Sequence, residues 1–511
     1  MLEHLTDSDS AEAARQQISE LFNAHSEWLY VPSEGNSQAL RRSELDVSVS
    51  HGRLILSCWT EKGSRSWRIA ALNWTGGKLM LQASRRMGAE RPVIELVPRA
   101  SASAIAATIR AARQMRCDQL AELACSLRPA AKIERAALSP GMRSGQPGRY
   151  ARIVLRVKHQ RIAVTASVAS GNASEIDAFL SAALMWFSRT SERARAPFIR
   201  QLWLIVGGDV IKATAQRVAL LRESLKEAIE IYELDEARTR LELVPCPERK
   251  ELWKKRLARF PRVAEAVTSE ASRTIIAQAP QAIDVVHARH GETLRYFGLP
   301  FARVRQVMGV ERVWFGIEGS RRRMLDAKTE HEWMTLMMDL RAHRSANSLD
   351  HRHALYRNAS EAWLESLLRR NITKLDPGLI IAPLHAQFRT ARGGRLGVRP
   401  IDLLALRRDG RLVVIELKVS EDREHVLQGV DYWRRVEAHR RRGHIWQAKL
   451  FGDRLISDQS PLVYLVAPTL RVHSAFQTLA RSIAPDIEIY RFDINENWRS
   501  GVRVMRRMRA N

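Results

Sequence analysis

Lysine is scarce in this 511-residue chain: it supplies only 13 of the 82 basic residues, the rest being arginine, against 56 acidic ones. The formal charge of +26 exceeds what solubility requires and points to a polyanionic partner, since the planar guanidinium fork suits bidentate contact with phosphates and base edges. Genomic base composition can produce the same bias. Cysteine is scarcer still. Cys58, Cys117, Cys125 and Cys246 lack C-x-x-C spacing and all fall in the N-terminal half, which disfavours a disulfide framework and a zinc module alike and fits a reduced cytoplasm. No run approaches the roughly 18 to 20 apolar residues of a membrane span, and Met1–Arg15 lacks the apolar core of a signal peptide. A cytoplasmic chain without a membrane partner is therefore expected. With 45% hydrophobic residues wholesale disorder is excluded, and 511 residues exceed one core, so the length implies about three domains.

The pattern along the chain predicts an α/β protein in four parts, bounded at 1–95, 100–236, 237–350 and 351–511. The first is β-rich: Arg53–Thr60, Ser66–Trp74 and Lys78–Ser84 are rich in β-branched and aromatic residues and are separated by Gly63-Ser64 and Gly76-Gly77, as in a meander. The second opens with a helix over Ala102–Leu127, whose two thiols read as structural. Strands Lys132–Ser139, Tyr150–Val157 and Arg161–Val168, a helix Ala173–Arg189, a strand Gln201–Val206, a helix and a strand Ile229–Leu234 follow. The third part reads as a connector of basic helices, starting at Trp253-Lys254-Lys255-Arg256, with a short mixed section and a closing helix Glu330–Arg341. The fourth repeats the order of the second: helix Ser360–Arg370, strands Leu379–Thr390, Pro400–Leu406 and Arg411–Val419, helix Arg423–His439, strand Leu462–Ala467, a helix and strand Ile487–Phe492.

This recurrence suggests a duplication. Ile229-Glu230-Ile231-Tyr232 and Ile487-Glu488-Ile489-Tyr490 are identical and end the same element order, and 149–170 lies against 399–420 without a gap. Trp186 then matches Trp433, and Trp203 lies opposite Tyr464.

Chemistry concentrates in the second copy. One strand carries Asp402 near its start, Asp409-Gly410 turns the chain, and the next strand ends in Glu416-Leu417-Lys418. Strand alternation puts Glu416 and Lys418 on one face, and an antiparallel hairpin brings Asp402 beside Glu416. Two hard oxygen ligands so placed suit Mg²⁺ or Mn²⁺, and the nearby ammonium can hold an attacking water and offset charge developing on a phosphorane. An edge hairpin with Glu416 and Lys418 facing solvent is the competing structural reading.

These residues resemble the PD-(D/E)xK nuclease superfamily, in which a hairpin displays Asp and Glu-x-Lys between two helices. Over about Tyr356–Ala467, Glu361–Glu365, Asp376-Pro377-Gly378-Leu379, Ile401-Asp402-Leu403, Asp409–Lys418, Gln428 and Tyr432 look most like the catalytic domain of prokaryotic mismatch and branched-DNA endonucleases. The resemblance implies two restriction-endonuclease-like αβββαβ domains, the first degenerate, and an Mg²⁺- or Mn²⁺-dependent hydrolase acting on DNA in repair or in defence against foreign DNA. It also implies that Asp402, Glu416 and Lys418 form the site, that Glu365 assists the metal, and that Gln428 and Tyr432 act from the following helix. The usual proline is displaced, since Pro400-Ile401-Asp402 inserts a residue. In the first copy Arg152, Ala166 and Val168 stand opposite Asp402, Glu416 and Lys418. A homodimer, or a pseudo-dimer of the two copies, is compatible with this reading. So are two alternatives, a non-cleaving nucleic-acid-binding scaffold and an RNA-cleaving enzyme.

The run Arg434, Arg435, Arg440, Arg441 and Arg442 follows the Gln428 helix and reads as a DNA-backbone contact, with a solvated helix face as the alternative. His287 and His290 stand at helical i,i+3 spacing without a third ligand, and Asp350-His351-Arg352-His353 reads as a linker that can approach a phosphate.

Overall fold

The computed structural model describes the chain except residues 1–2, 6, 33–37, 61–62, 76–77, 85–91, 100–101, 142–146, 169–174, 194–197, 238, 255–256, 258, 261–266, 289–290, 318–321 and 389–399. The expected Gly76-Gly77 turn, Lys255, Arg256 and His290 lie outside the described residues. The architecture is mixed α/β, with four sheets, and separates into two compact units: 1–179, 186–214 and 228–245 form one, 180–185, 215–227 and 246–511 the other. Among the described residues no helix is long and apolar enough to cross a membrane.

In the first unit the expected meander is part of an eight-stranded sheet, with Arg53–Thr60, Gly63–Thr75 and Lys78–Ser84 as successive neighbours. Gly63 and Ser64, expected between strands, belong to the second of them. The helix Ser8–Ala24 sets Ala11, Ala14, Ile18 and Phe22 into the same core as Trp28, Leu54 and Leu81. A six-stranded sheet follows, built from Ala131–Pro140, Pro147–Val157, Gln160–Ser167, Ile199–Gly207, Ile229–Asp235 and Arg240–Val244, and the helix Ala102–Ser126 covers one face.

The second unit holds another six-stranded sheet: β1 (His385–Phe388), β2 (Ile401–Leu406), β3 (Leu412–Leu417), β4 (Leu462–Pro468), β5 (Ile489–Ile494) and β6 (Val504–Arg509), in that order across the sheet. The helix α1 (Ser360–Arg370) packs Trp363, Leu364 and Leu368 on one face, and α2 (His425–Arg440) packs Tyr432 and Val436 on the other. β3 and β4 are buried along their whole length, as parallel neighbours between two helical layers should be. Of the expected strand Leu379–Thr390, whose last two residues lie outside the described ones, His385–Phe388 is a strand and Leu379 makes a lone bridge to Arg407, Pro383 interrupting the stretch between them.

Both six-stranded sheets run antiparallel, antiparallel, parallel, parallel, antiparallel, so their topology is the same. Their register corrects the gapless alignment. With Ile153 matched to Leu403, both facing the covering helix, Ile153 pairs with Val164 and Leu403 with Ile415. The turn before β3 is thus one residue longer, and Thr165 and Ser167, not Ala166 and Val168, occupy the positions of Glu416 and Lys418. Continuing across the parallel strands, Tyr232 takes the place of Phe492, so the two identical tetrapeptides sit two residues out of register.

The connector is not a set of basic helices. It is a five-stranded antiparallel sheet (Ile283–Ala288, Gly291–Tyr296, Leu299–Val307, Val310–Phe315 and Arg323–Met324) with helices Glu270–Gln278 and Glu330–His343. Arginines alternate there with buried Leu294, Tyr296, Phe301 and Val304, which is the period of a strand. His287 consequently lies on a strand, and i,i+3 spacing gives no shared face there. The sheet is tied to α1. Phe297 stacks on Trp363 at 5.3 Å, and Gly298, at φ +78, approaches so closely that a Cβ would lie 2.0 Å from the Ala362 carbonyl oxygen. The buried Arg344 guanidinium donates to the carbonyls of Tyr296, Phe297, Leu355, Asn358 and Ala359 at 2.7 to 3.3 Å.

The arginine run on and after α2 is built into this unit. Asp431, 1% exposed, accepts Arg434 at 2.7 Å and Arg217 at 3.2 Å and also pairs with Arg435. The equally buried Glu437 holds Arg440 and Arg441 at 2.6 Å each, and Arg442 donates to the carbonyls of Ala438 and Trp253. The expected row of free phosphate ligands is thus largely a row of internal ion pairs, with Arg441 half exposed. Burial raises the Asp431 pKa, but Arg217, Arg435 and Arg434 outweigh it and hold the carboxyl below the usual range. A depressed folded pKa contributes stability above the unfolded value near ~3.9 and loses it as pH falls through the folded value. Asp431→Asn should cost about 3 to 5 kcal/mol at neutral pH by stranding buried guanidinium groups, and should flatten the fall in stability below about pH 4. Urea unfolding at pH 7 and between about pH 5 and 3 measures both; a variant as stable as wild type at pH 7 would show the cluster to be incidental.

Candidate active site

The carboxyl ends of parallel strands are where an open α/β sheet leaves a crevice, and β3 ends there with its charged residues. β2 runs antiparallel beside it and brings Asp402 to the same end, where Asp402 Oδ2 accepts the Leu417 N–H at 2.9 Å. The hairpin expected from the sequence is therefore present, but it is central in the sheet, not an exposed edge. Glu416 is 2% exposed and Lys418 is buried with it.

Lys418 Nζ lies 3.0 Å from Glu416 Oε1, 3.6 Å from Asp422 Oδ2 and 4.0 Å from Glu361 Oε1. Burial works against the ammonium, but Glu416, Glu361 and Asp422 outweigh it and keep the charge on. Glu416 goes the other way. Burial first and the Asp402 carboxylate second push its pKa well above the carboxylate range, despite Lys418. Its Oε2 has no hydrogen-bond partner, and neither has the buried Oε1 of Gln428 on α2. Orphaned acceptors of this kind need a donor or a cation. Among the described residues no group of three or more His, Cys, Asp or Glu is placed to hold a metal ion. The hard donors brought together here are the carboxylates of Asp402 and Glu416, which fit a cation that keeps most of its water and do not fit zinc.

Two glutamates of α1 lie on the side of the helix that concerns the site. Glu365 accepts Arg295 at 3.2 Å, and Arg295 and Arg369 share Asp284 at 2.6 Å each. Glu361, one turn earlier, is the α1 carboxylate that approaches Lys418. Gln428 donates to Glu424 Oε2 at 3.1 Å, and Tyr432 is buried in the core with Arg435 5.1 Å above its ring. Two further residues, not among those expected from the sequence, belong to this cluster. Asp422 closes a loop back on Lys418, and His425, buried, has Nε2 3.2 Å from the Glu416 carbonyl oxygen. Burial and then Lys418 lower the His425 pKa to about 4, so it is neutral and can donate to that carbonyl. An acid four residues after Lys418 was the available signal for Asp422.

The flanking features have local uses. His353 accepts the Leu355 N–H at 3.2 Å and stacks on His343, and His351 stacks on Tyr356. In the first sheet Thr165, at the position of Glu416, donates to the Ala151 carbonyl at 2.9 Å, and no acid replaces Asp402, since Arg152 stands there.

No family model matches the chain, and no curated protein matches it in sequence. A solved structure titled as EndoMS in its apo form is similar at 10% identity over 40% of this chain and 88% of that chain, with a TM-score of 0.14.

Proposed function

We propose that the second unit carries a divalent-metal-dependent endonuclease that hydrolyses phosphodiester bonds in DNA. The observation that carries this reading is the convergence of Asp402, Glu416 and Lys418 at one strand end, with a buried glutamate oxygen left without a partner. Asp402 and Glu416 would hold Mg²⁺ or Mn²⁺, with Glu361 at the margin of the site. Such an ion, when bound, polarises a phosphoryl oxygen and lowers the pKa of a bound water. Lys418, fixed by Glu416 and Asp422, orients the attacking water and offsets negative charge on the phosphorane. Asp402 accepts the Leu417 N–H, which fixes its carboxylate relative to Glu416. Gln428 and Glu424 form the neighbouring polar pair, whereas Tyr432 acts through packing. The arginine-rich charge favours a nucleic acid as substrate. The first copy lacks both carboxylates and would be silent.

Asp402→Ala, Glu416→Ala and Lys418→Ala should each abolish metal-dependent cleavage while DNA binding persists, because these side chains serve the reacting phosphate and not the bulk of the backbone contacts. Losses in double variants should not add. Single-turnover assays on mismatched, branched, single-stranded and plain duplex DNA, and on RNA, with Mg²⁺ or Mn²⁺ give the rates and the substrate class. Wild-type cleavage by any one folded variant would remove the assignment.

A further inference from the structure

Among the described arginines of the second unit, three stand together on one face of a hairpin, two of them directly opposite each other. The strands Leu299–Val307 and Val310–Phe315 form a hairpin whose outer face pairs Arg303 with Trp314, Arg305 with Arg312 and Val307 with Val310. Like charges directly opposite each other destabilise a sheet, and among the described residues none of these three arginines has a carboxylate at ion-pair distance. Arg312 donates only to Met324 Sδ, at 3.4 Å.

The end of this hairpin leaves the sheet. Among the described residues the neighbouring strand Gly291–Tyr296 pairs no further than Val304, and Arg323–Met324 reaches Trp314 and Phe315, so no described strand lies beside 305–312 outside the hairpin itself. Glu311 braces it by accepting the Glu270 and Ala271 N–H groups at the start of the helix Glu270–Gln278. The tip is apolar and open to solvent: Val307 is 37% exposed, Val310 57% and Met308 99%. Met308 and Gly309 have φ of 50 and 78, a turn in which Asn-Gly would be at ease and a methionine gains nothing from folding.

We propose that this ribbon is a wedge for duplex DNA, with Met308 and its valines inserted at a base step and Arg305 and Arg312 on the flanking phosphates. Apolar tips carried on basic ribbons unstack a step and kink the duplex, and the mutual repulsion of Arg305 and Arg312 is relieved by the polyanion. The proposal rests on the DNA reading above but not on the metal site, so the test is done in EDTA with the full chain.

The probe is a plain duplex carrying 2-aminopurine, whose fluorescence rises on unstacking. Wild type should raise it. Met308→Ser, at an exposed turn position that does not load the core, should abolish most of the rise and weaken binding by roughly three- to tenfold. Arg305→Ala with Arg312→Ala should make the salt slope of log Kd shallower by about one to two units. An undiminished rise with Met308→Ser, or an unchanged slope for the arginine pair, would overturn the wedge while leaving cleavage by Asp402 and Glu416 standing. Absence of duplex binding by wild type would overturn it together with the DNA reading. The same variants losing affinity for phosphatidylserine vesicles but not for duplex would assign the tip to a membrane and overturn it too.

Discussion

Burying Glu416 beside Asp402 in the middle of an apolar sheet costs free energy that hydrogen bonding within the site does not recover, since one of its oxygens has no partner. The rest of the second unit supplies what makes that placement tolerable. Apolar residues of α1 and α2 cover both faces of β3, so the strand end is fixed by packing and not by its own polar contacts. The Asp402 carboxylate is anchored by a main-chain N–H, and Lys418 is held by three acids and not by one. The side chains of such a site are positioned by the fold itself, and two buried oxygens, Glu416 Oε2 and Gln428 Oε1, are left without a hydrogen-bond partner among the described residues.

The same unit shows where a large positive charge can go without unfolding a domain. Asp431 gathers three arginines, Glu437 two, and Arg295 and Asp284 of the connector sheet pair with Glu365 and Arg369 of α1. Arg344 is held instead by five carbonyl oxygens, and burial lowers its pKa to about 9. Net charge is therefore a poor guide to which residues meet a partner. More informative are arginines that face each other with no acid at ion-pair distance among the described residues, as at 305 and 312.

The second sheet and its helices were legible because their apolar periods are undisturbed; α1 falls on the residues expected, and Asp402, Glu416 and Lys418 come together as strand alternation requires. The helical expectation for the connector rests on the basic run that opens at Trp253-Lys254, whereas Gly291–Val307 sets arginines between buried Leu294, Tyr296, Phe301 and Val304 at the period of a strand. Glu365 and Glu361 share a helix face, so spacing could not choose between them; Arg295, seventy residues away, does. The arginines after Gln428 were read as a surface because acids three and four residues before them, Asp431 and Glu437, were not recognised as buried.

The two six-stranded sheets provide an internal control on what the acids are for. They share strand order and sense, yet at the position of Glu416 the first has Thr165, buried and satisfied by the Ala151 carbonyl, and at that of Lys418 it has Ser167. A sheet of this topology therefore closes over a small neutral hydroxyl without strain. Nothing in the fold calls for a carboxylate and an ammonium there, and a buried ion pair is at best neutral for stability against a well-packed neutral alternative. Stability alone therefore does not explain Glu416 and Lys418 at the strand end, which is the physical argument behind the metal-site proposal.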